Sequence, residues 1–263
     1  MAIVLEINNL SYMKFSNINL SFSDHTYYSI IGSNKSGKTM LFKLISGLIP
    51  SNNSIACNSV NLDLNSISDY ITNIGVVDRV NEKSFIYQKV IDEMLYPLHN
   101  LGFGRNNGLT RIKEVLSLFK VDGLLNKNIN ELDYYEKELL LIMIALLHEP
   151  SVLLLDSVLE IFPNDMKKII VKTLRKLVKE GLTVINFTNS LEDAYNSDKI
   201  ILLDNYEVIG EYTPKDIYNN DKLFYEHNLE IPFLVDLSIK LKMYNLVDKE
   251  YSKMEAMVDD IWP

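Results

Sequence analysis

A single cysteine, Cys57, in 263 residues leaves nothing from which to build a disulfide framework or a cysteine-rich zinc site. A lone thiol suits a reducing cytosol and reads as a small core or loop residue. Basic charge is also scarce: Lys+Arg total 26 against 35 Asp+Glu, a formal net charge of -9. A chain that grips nucleic-acid phosphates leans the other way, so no nucleic-acid partner is expected. Long apolar runs are missing too. The longest, Leu139–Leu147, falls far short of the roughly 20 residues of a membrane-spanning helix. The first residues, Met-Ala-Ile-Val-Leu-Glu-Ile, have no basic region and meet an acid too soon for a signal peptide. No internal repeat and no low-complexity linker is visible, and a soluble protein is expected.

What is present is enough apolar material for a core. Hydrophobic residues make up 47% of the chain, which excludes a disordered protein. The length fits one large α/β domain, or a domain with a small appendage. Short β-rich runs alternate with helical patterns, as in an α/β sheet. Strands are expected at Ile3–Ile7, Tyr27–Ile31, Ile74–Val77, Val152–Asp156, Thr183–Phe187 and Lys199–Leu203. Helices are expected at Lys38–Leu48, Val90–Leu101, Leu109–Phe119, Glu136–His148, Asp165–Lys179, Pro232–Met243 and Tyr251–Ile261.

The strongest local signal is Gly32-Ser33-Asn34-Lys35-Ser36-Gly37-Lys38-Thr39, which matches G-x-x-x-x-G-K-[ST]. A random match arises on the order of once per hundred chains of this length. Here it also follows an expected strand and opens an expected helix. Glycines let backbone N–H groups curl around phosphate oxygens, and the helix N-terminus adds its positive end. Lys38 is positioned to reach β- and γ-phosphates, and the Thr39 hydroxyl to bind Mg²⁺. Lys35 adds a positive charge that either contacts phosphate or sits in solvent. Four apolar residues end in Asp156, giving a buried strand whose tip carboxylate is either a metal ligand or a turn residue.

At these residues the chain resembles an ATP-binding cassette (ABC) ATPase, and the resemblance runs over nearly its whole length. Within that superfamily it is most similar to the ATPase subunits of energy-coupling-factor importers. Three stretches carry this: Leu10-Ser-Tyr12 with Ile18-Asn-Leu-Ser-Phe22; Phe85–Glu93 running to Asn100-Leu-Gly102; and Gly210–Ile217 followed by Leu229–Leu237. The resemblance implies a P-loop NTPase fold: a RecA-like α/β core with an antiparallel β portion and an inserted helical subdomain. The nucleotide-binding domain would span residues 1–212, with the helical insert near 85–150. Residues 213–263 would form a small C-terminal helical dimerisation extension. It further implies ATP and Mg²⁺ as ligands, with Gly32, Ser33, Asn34, Lys35, Ser36, Gly37, Lys38, Thr39 and Tyr12 around the nucleotide and Thr39 and Asp156 on the metal. Tyr12 and Phe15 are the aromatic candidates beside adenine, each equally readable as core packing.

Most catalytic positions of that family are replaced. Ser157 stands where the family has the glutamate that polarises water, and a hydroxyl cannot act as that base near neutral pH. Asn189 stands for the switch histidine and cannot hold a positive charge. Arg79 stands for the Q-loop glutamine, and Pro163 for the D-loop aspartate. The signature motif Leu-Ser-Gly-Gly-Gln reads Leu132-Asp133-Tyr134-Tyr135-Glu136. Asp133 and Glu136 are spaced as a capping box, so a carboxylate would occupy the anion-attracting end of the helix.

These departures point to an ATP-binding subunit with impaired or absent hydrolysis. The expected partners are a second ABC ATPase, in a heterodimer, and a multi-spanning membrane coupling protein, with the chain peripheral at the inner face of the cell membrane. Two other readings stay open: a working transport ATPase that tolerates its substitutions, and a non-transport nucleotide-binding regulator or scaffold. In the tail, Phe233, Leu234, Leu237 and Leu241 fall on roughly one helical face. That stripe either packs on the chain itself or holds the two ATPases together.

Overall fold

The computed structural model describes residues 2–51, 53–81, 83–219, 221–247, 251 and 254–261. The chain begins with β1 (Ile3–Tyr12), β2 (Phe15–Ser23), β3 (Tyr27–Ile31), α1 (Lys38–Ile45), β4 (Ile55–Cys57), β5 (Val60–Asn61), α2 (Ile67–Thr72) and β6 (Ile74–Val77). A helical stretch follows: α3 (Val90–Asn100), α4 (Arg105–Phe119) and α5 (Tyr134–Leu146). Then come β7 (Val152–Asp156), α6 (Asn164–Lys179), β8 (Thr183–Thr188), α7 (Leu191–Ala194), β9 (Lys199–Asp204) and β10 (Glu207–Tyr212). The tail holds α8 (Pro214–Asn219), α9 (Asp221–Glu226), α10 (Phe233–Met243) and α11 (Met254–Ile261).

Two sheets form. The larger has six strands in the order β10-β9-β3-β8-β7-β6, and the smaller has four in the order β2-β1-β4-β5. In the larger sheet every pairing from β9 to β6 is parallel, and only β10 joins antiparallel. The sequence explains why. Strands β3, β7 and β8 are buried at every position, as parallel strands covered on both faces must be. The edge strand β10 instead alternates exposed and half-buried residues. The smaller sheet, antiparallel throughout, is the antiparallel β portion that the resemblance implies.

One face of the large sheet packs with α1 and the small sheet, through Phe42, Leu44, Phe187 and Leu203 against Leu5, Ile7 and Phe22. The other carries the helical insert: Met94, Leu98, Ile112, Leu116 and Met143 share one cluster with Leu155, Leu174 and Val184. Each fully buried large side chain contributes about 1.5–3 kcal/mol, so the insert is anchored rather than tethered. Cys57 lies fully inside the first cluster, and burial pushes its thiol up to about 12, as an inert core residue requires.

Packing cuts across the boundary expected at 212/213. Ile217, Phe224, Leu229, Ile231 and Val235 of the tail join Ile31, Ile200 and Leu202 of the sheet in one cluster. Leu234, Leu237 and Leu241 pack within the tail itself, against Val247, Tyr251 and Met257. Of the expected four-residue stripe only Phe233 stays open, at 70% exposure. Helix α10 is therefore covered on two faces, and of the two readings of the stripe the packing within the chain is the one seen for Leu234, Leu237 and Leu241. Trp262 and Pro263, the end of that tail reading, lie outside the described residues. No helix among the described residues is long and apolar enough to cross a membrane.

Candidate functional site

Parallel strands carry their C-terminal ends to one edge of the sheet, so the loops after β3, β6, β7 and β8 converge there. The loop after β3 is Gly32–Gly37. A Cβ on Gly32 would sit 2.1 Å from the Leu203 carbonyl oxygen, so only glycine lets the chain leave the sheet here. Gly37 has φ 109 and lies against the rings of Phe15 and Tyr206. It precedes α1 without any side-chain cap, and no acidic residue occupies the first turn. No side-chain carboxylate claims the N–H groups of that helix end.

Lys38 holds the loop from inside. Its Nζ donates to the carbonyls of Gly32 at 2.6 Å and Ser33 at 3.0 Å, and to Ser36 Oγ at 3.3 Å. Burial pulls its pKa below the usual lysine value, while Asp156 and Glu160 push it back up. Asn34 and Lys35 are exposed, Ser33 is half-buried and Ser36 is buried. Lys35 takes a left-handed φ of 70, so it projects at the loop's outer turn.

Asp156 ends β7 and is almost fully buried. Burial, and then the neighbouring Asp78, raise its pKa, while the Thr39 hydroxyl, Lys38 and the Ser157 hydroxyl lower it. A buried carboxylate beside a hydroxyl, pushed towards protonation, is short of positive charge. That donor set fits a hard divalent cation completed by phosphate oxygens, the usual habit of Mg²⁺. Among the described residues no group of three or more His, Cys, Asp or Glu side chains is arranged to hold a metal without such help.

The positions replaced in the sequence are brought together around a residue that sequence reading missed. Glu160 lies on a short helical turn, Leu159–Ile161. Its Oε1 accepts from Thr188 Oγ1 at 2.7 Å and from the Asn189 N–H at 2.8 Å. Its Oε2 pairs with Arg79 Nη2 at 3.3 Å. Arg79 also donates from Nε (3.2 Å) and Nη2 (3.0 Å) to the Ser157 carbonyl. Asn189 Nδ2 donates to Asn34 Oδ1 at 3.1 Å, closing the ring onto the phosphate loop. Ser157 itself has φ 58, with its N–H bonded to the Phe187 carbonyl at 2.8 Å and its hydroxyl 3.5 Å from Asp156 Oδ1. Pro163 only starts α6, in extended conformation.

At the start of α5 the expected capping box is present. Asp133 Oδ1 accepts from the Glu136 N–H at 2.7 Å, and Glu136 Oε2 accepts from the Asp133 N–H at 3.0 Å. Lys127 pairs with Glu136 Oε1 at 2.8 Å. Tyr135 leans on Phe162, and Tyr134 stands half exposed beside it. Two helix ends thus differ in kind: α1 is open to an anion and α5 is filled by the chain's own carboxylate.

The aromatic assignment divides. Tyr12 is half-buried at the end of β1 and keeps an exposed edge. Phe15 is only 2% exposed and meets Tyr206 edge-on at 5.1 Å, so it has no face to offer a base, and of its two readings packing holds. Tyr206 was not legible beforehand. It sits in the two-residue turn between β9 and β10, where Asn205 and Tyr206 have φ 44 and 68, and its N–H reaches the Ser36 carbonyl at 2.8 Å. A cavity of about 580 Å³ opens between Asn34, Asn189 and Glu160 on one side and Glu230 and Phe233 of the tail on the other. A second cavity, about 1250 Å³ between α4 and α6, lies away from this site.

Known proteins share this fold. The sequence model of the ABC transporter family matches residues 15–160. The energy-coupling factor transporter ATP-binding protein EcfA of Enterococcus faecium is 28% identical over 239 residues, covering 90% of this chain and 86% of that protein. EcfA1 of Mycoplasma genitalium is 28% identical over 226 residues, covering 85% and 82%. Among solved structures, cbiO1 from Clostridium perfringens, part of the ABC transporter complex cbiONQ, superposes with TM-score 0.76 at 21% identity, covering 89% of this chain and 98% of that one. The ATP-binding cassette MJ0796, solved as a dimer bound to ADP and Pi, superposes with TM-score 0.70 at 21% identity, over 80% of this chain and 98% of that one.

Proposed function

Because the chain belongs to the ABC transporter family, we propose that it is the ATP-binding subunit of an importer of the energy-coupling-factor type. In this reading it binds Mg-ATP through Gly32–Thr39 and hydrolyses it slowly or not at all. The observation that carries the reading is the contrast between the helix ends: nothing caps α1, while Asp133 caps α5. Lys38 and the α1 N–H groups would hold the β- and γ-phosphates, Thr39 and Asp156 would hold Mg²⁺, and Tyr12 would flank adenine. When bound, Mg²⁺ would offset phosphate charge that the acidic residues nearby otherwise oppose.

A second ATPase follows from the missing parts. In a homodimer both composite sites would join Ser157 and Asn189 to Asp133-Tyr134-Tyr135. With a partner of intact motifs, one site keeps that partner's glutamate and histidine, while still facing this chain's capped α5. We therefore propose a heterodimer, docked on a multi-spanning membrane coupling protein at the inner face of the membrane.

The first test is thermal unfolding of the purified chain. Ligand that binds only the native state stabilises it by RT ln(1 + [L]/Kd), about 2.7 kcal/mol at a hundredfold excess over Kd. Mg-ATP should raise the melting temperature of the wild type, and Lys38→Ala should remove most of the shift. A wild type that melts unchanged in millimolar Mg-ATP contradicts the reading.

A further inference from the structure

Arg79 and Glu160 form a charged pair next to Asp156 that the expected chemistry does not use. Arg79 is anchored through Nε and Nη2 on the carbonyl of Ser157, the residue that follows Asp156. Its Nη1 has no partner among the described residues, and its side chain is 47% exposed. A half-open guanidinium is thus held one residue from the carboxylate that faces Thr39. The same site lacks a cation at Asn189 and a carboxylate at Ser157. The two charges are present, but displaced: the cation stands at 79 and the carboxylate at 160, and Glu160 lies within electrostatic reach of Lys38.

We propose that Arg79 recognises the γ-phosphate, exchanging Glu160 for it, so that the Arg79–Glu160 pair makes this site selective for nucleoside triphosphate over diphosphate. The inference rests on the nucleotide-binding reading above. A guanidinium binds phosphate oxygens through paired, charge-assisted bonds, which a terminal phosphate offers and a single carboxylate oxygen at 3.3 Å does not. After Arg79 leaves, Thr188 Oγ1 and the Asn189 N–H still hold Oε1, and Oε2, on a side chain 22% exposed, is left to water. A diphosphate stops short of Arg79 and leaves the pair closed. An exposed ion pair of this kind adds little to stability, so losing it should be felt in nucleotide choice far more than in folding.

Calorimetric titration of the purified chain with Mg-ATP and Mg-ADP tests this. Wild type should prefer ATP. Arg79→Gln should weaken ATP about tenfold or more while leaving ADP within about twofold, the size expected for losing a hydrogen bond to a charged group. Arg79→Lys should recover part of the preference. Glu160→Gln should tighten ATP several-fold with little change in ADP, because Arg79 no longer has a competing anion. Parallel losses for both nucleotides in Arg79→Gln, or no change in their ratio, overturn the proposal and leave nucleotide binding standing. A wild type that binds neither nucleotide overturns both.

Discussion

Steady-state ATP turnover by the purified chain should stay at the no-enzyme background, and Ser157→Glu should not restore it. General bases of this type contribute typically about 10²–10⁴-fold, a large gain for one that acts alone. The geometry argues otherwise. Ser157 sits at φ 58 with its carbonyl held by Arg79, so a longer acidic side chain there enters a left-handed backbone position. Ser157 already bears the roughly 1–2 kcal/mol that such backbone costs an L-residue, so the acidic side chain gains no relief there. It would also add a carboxylate beside Asp156, which burial and Asp78 already push towards protonation. Asn189 would still supply no cation, and Asp133 would still fill the α5 end. Catalytic groups of this kind act as a unit, so one repair recovers little. The check is phosphate release from wild type, Ser157→Glu and Lys38→Ala. Turnover by wild type that Lys38→Ala abolishes would make the chain a working ATPase.

The second large effect concerns the tail. Phe224→Ala should destabilise the protein by about 3–5 kcal/mol, the usual cost of emptying a buried aromatic site. Phe224 is fully buried, meets Tyr212 edge-on at 5.7 Å, and shares its cluster with Ile31, Ile200 and Leu202 of the sheet. Phe233→Ala, by contrast, should stay within about 0.5 kcal/mol of wild type, as surface changes do. Urea denaturation of the two variants separates the cases. Equal midpoints for Phe224→Ala and wild type would mean that the tail is an independent appendage. The packing says that it is not, and cutting the chain after Tyr212 would uncover a face of the main sheet.

How much of this was legible in the sequence depended on the distance over which the physics acts. The phosphate loop and the Asp133–Glu136 box are local patterns, eight and four residues long, and both are present in the structure. The central strands were legible because burial on both faces forces unbroken apolar runs such as Val152–Leu155. Strand β2 and the edge strand β10 escaped the strand reading, since one open face breaks their apolar runs with polar residues, unlike the doubly buried central strands. Glu160 was invisible for a different reason: its partners Arg79 and Thr188 are 81 and 28 residues away, and only sheet order brings them together. The α10 stripe shows the limit of periodicity. Spacing tells that Leu234, Leu237 and Leu241 share an apolar face, but not that the chain's own Val247, Tyr251 and Met257 cover it.

The account turns on a site that holds ATP without consuming it, and one experiment addresses this directly. The purified chain is mixed, in molar excess, with labelled Mg-ATP, separated from free nucleotide after a long incubation, denatured, and its bound nucleotide identified. The account predicts that the label is retained by wild type, is recovered as intact ATP, and is not retained by Lys38→Ala. Recovery of the bound label as ADP and phosphate, with conversion lost in Lys38→Ala, would contradict it.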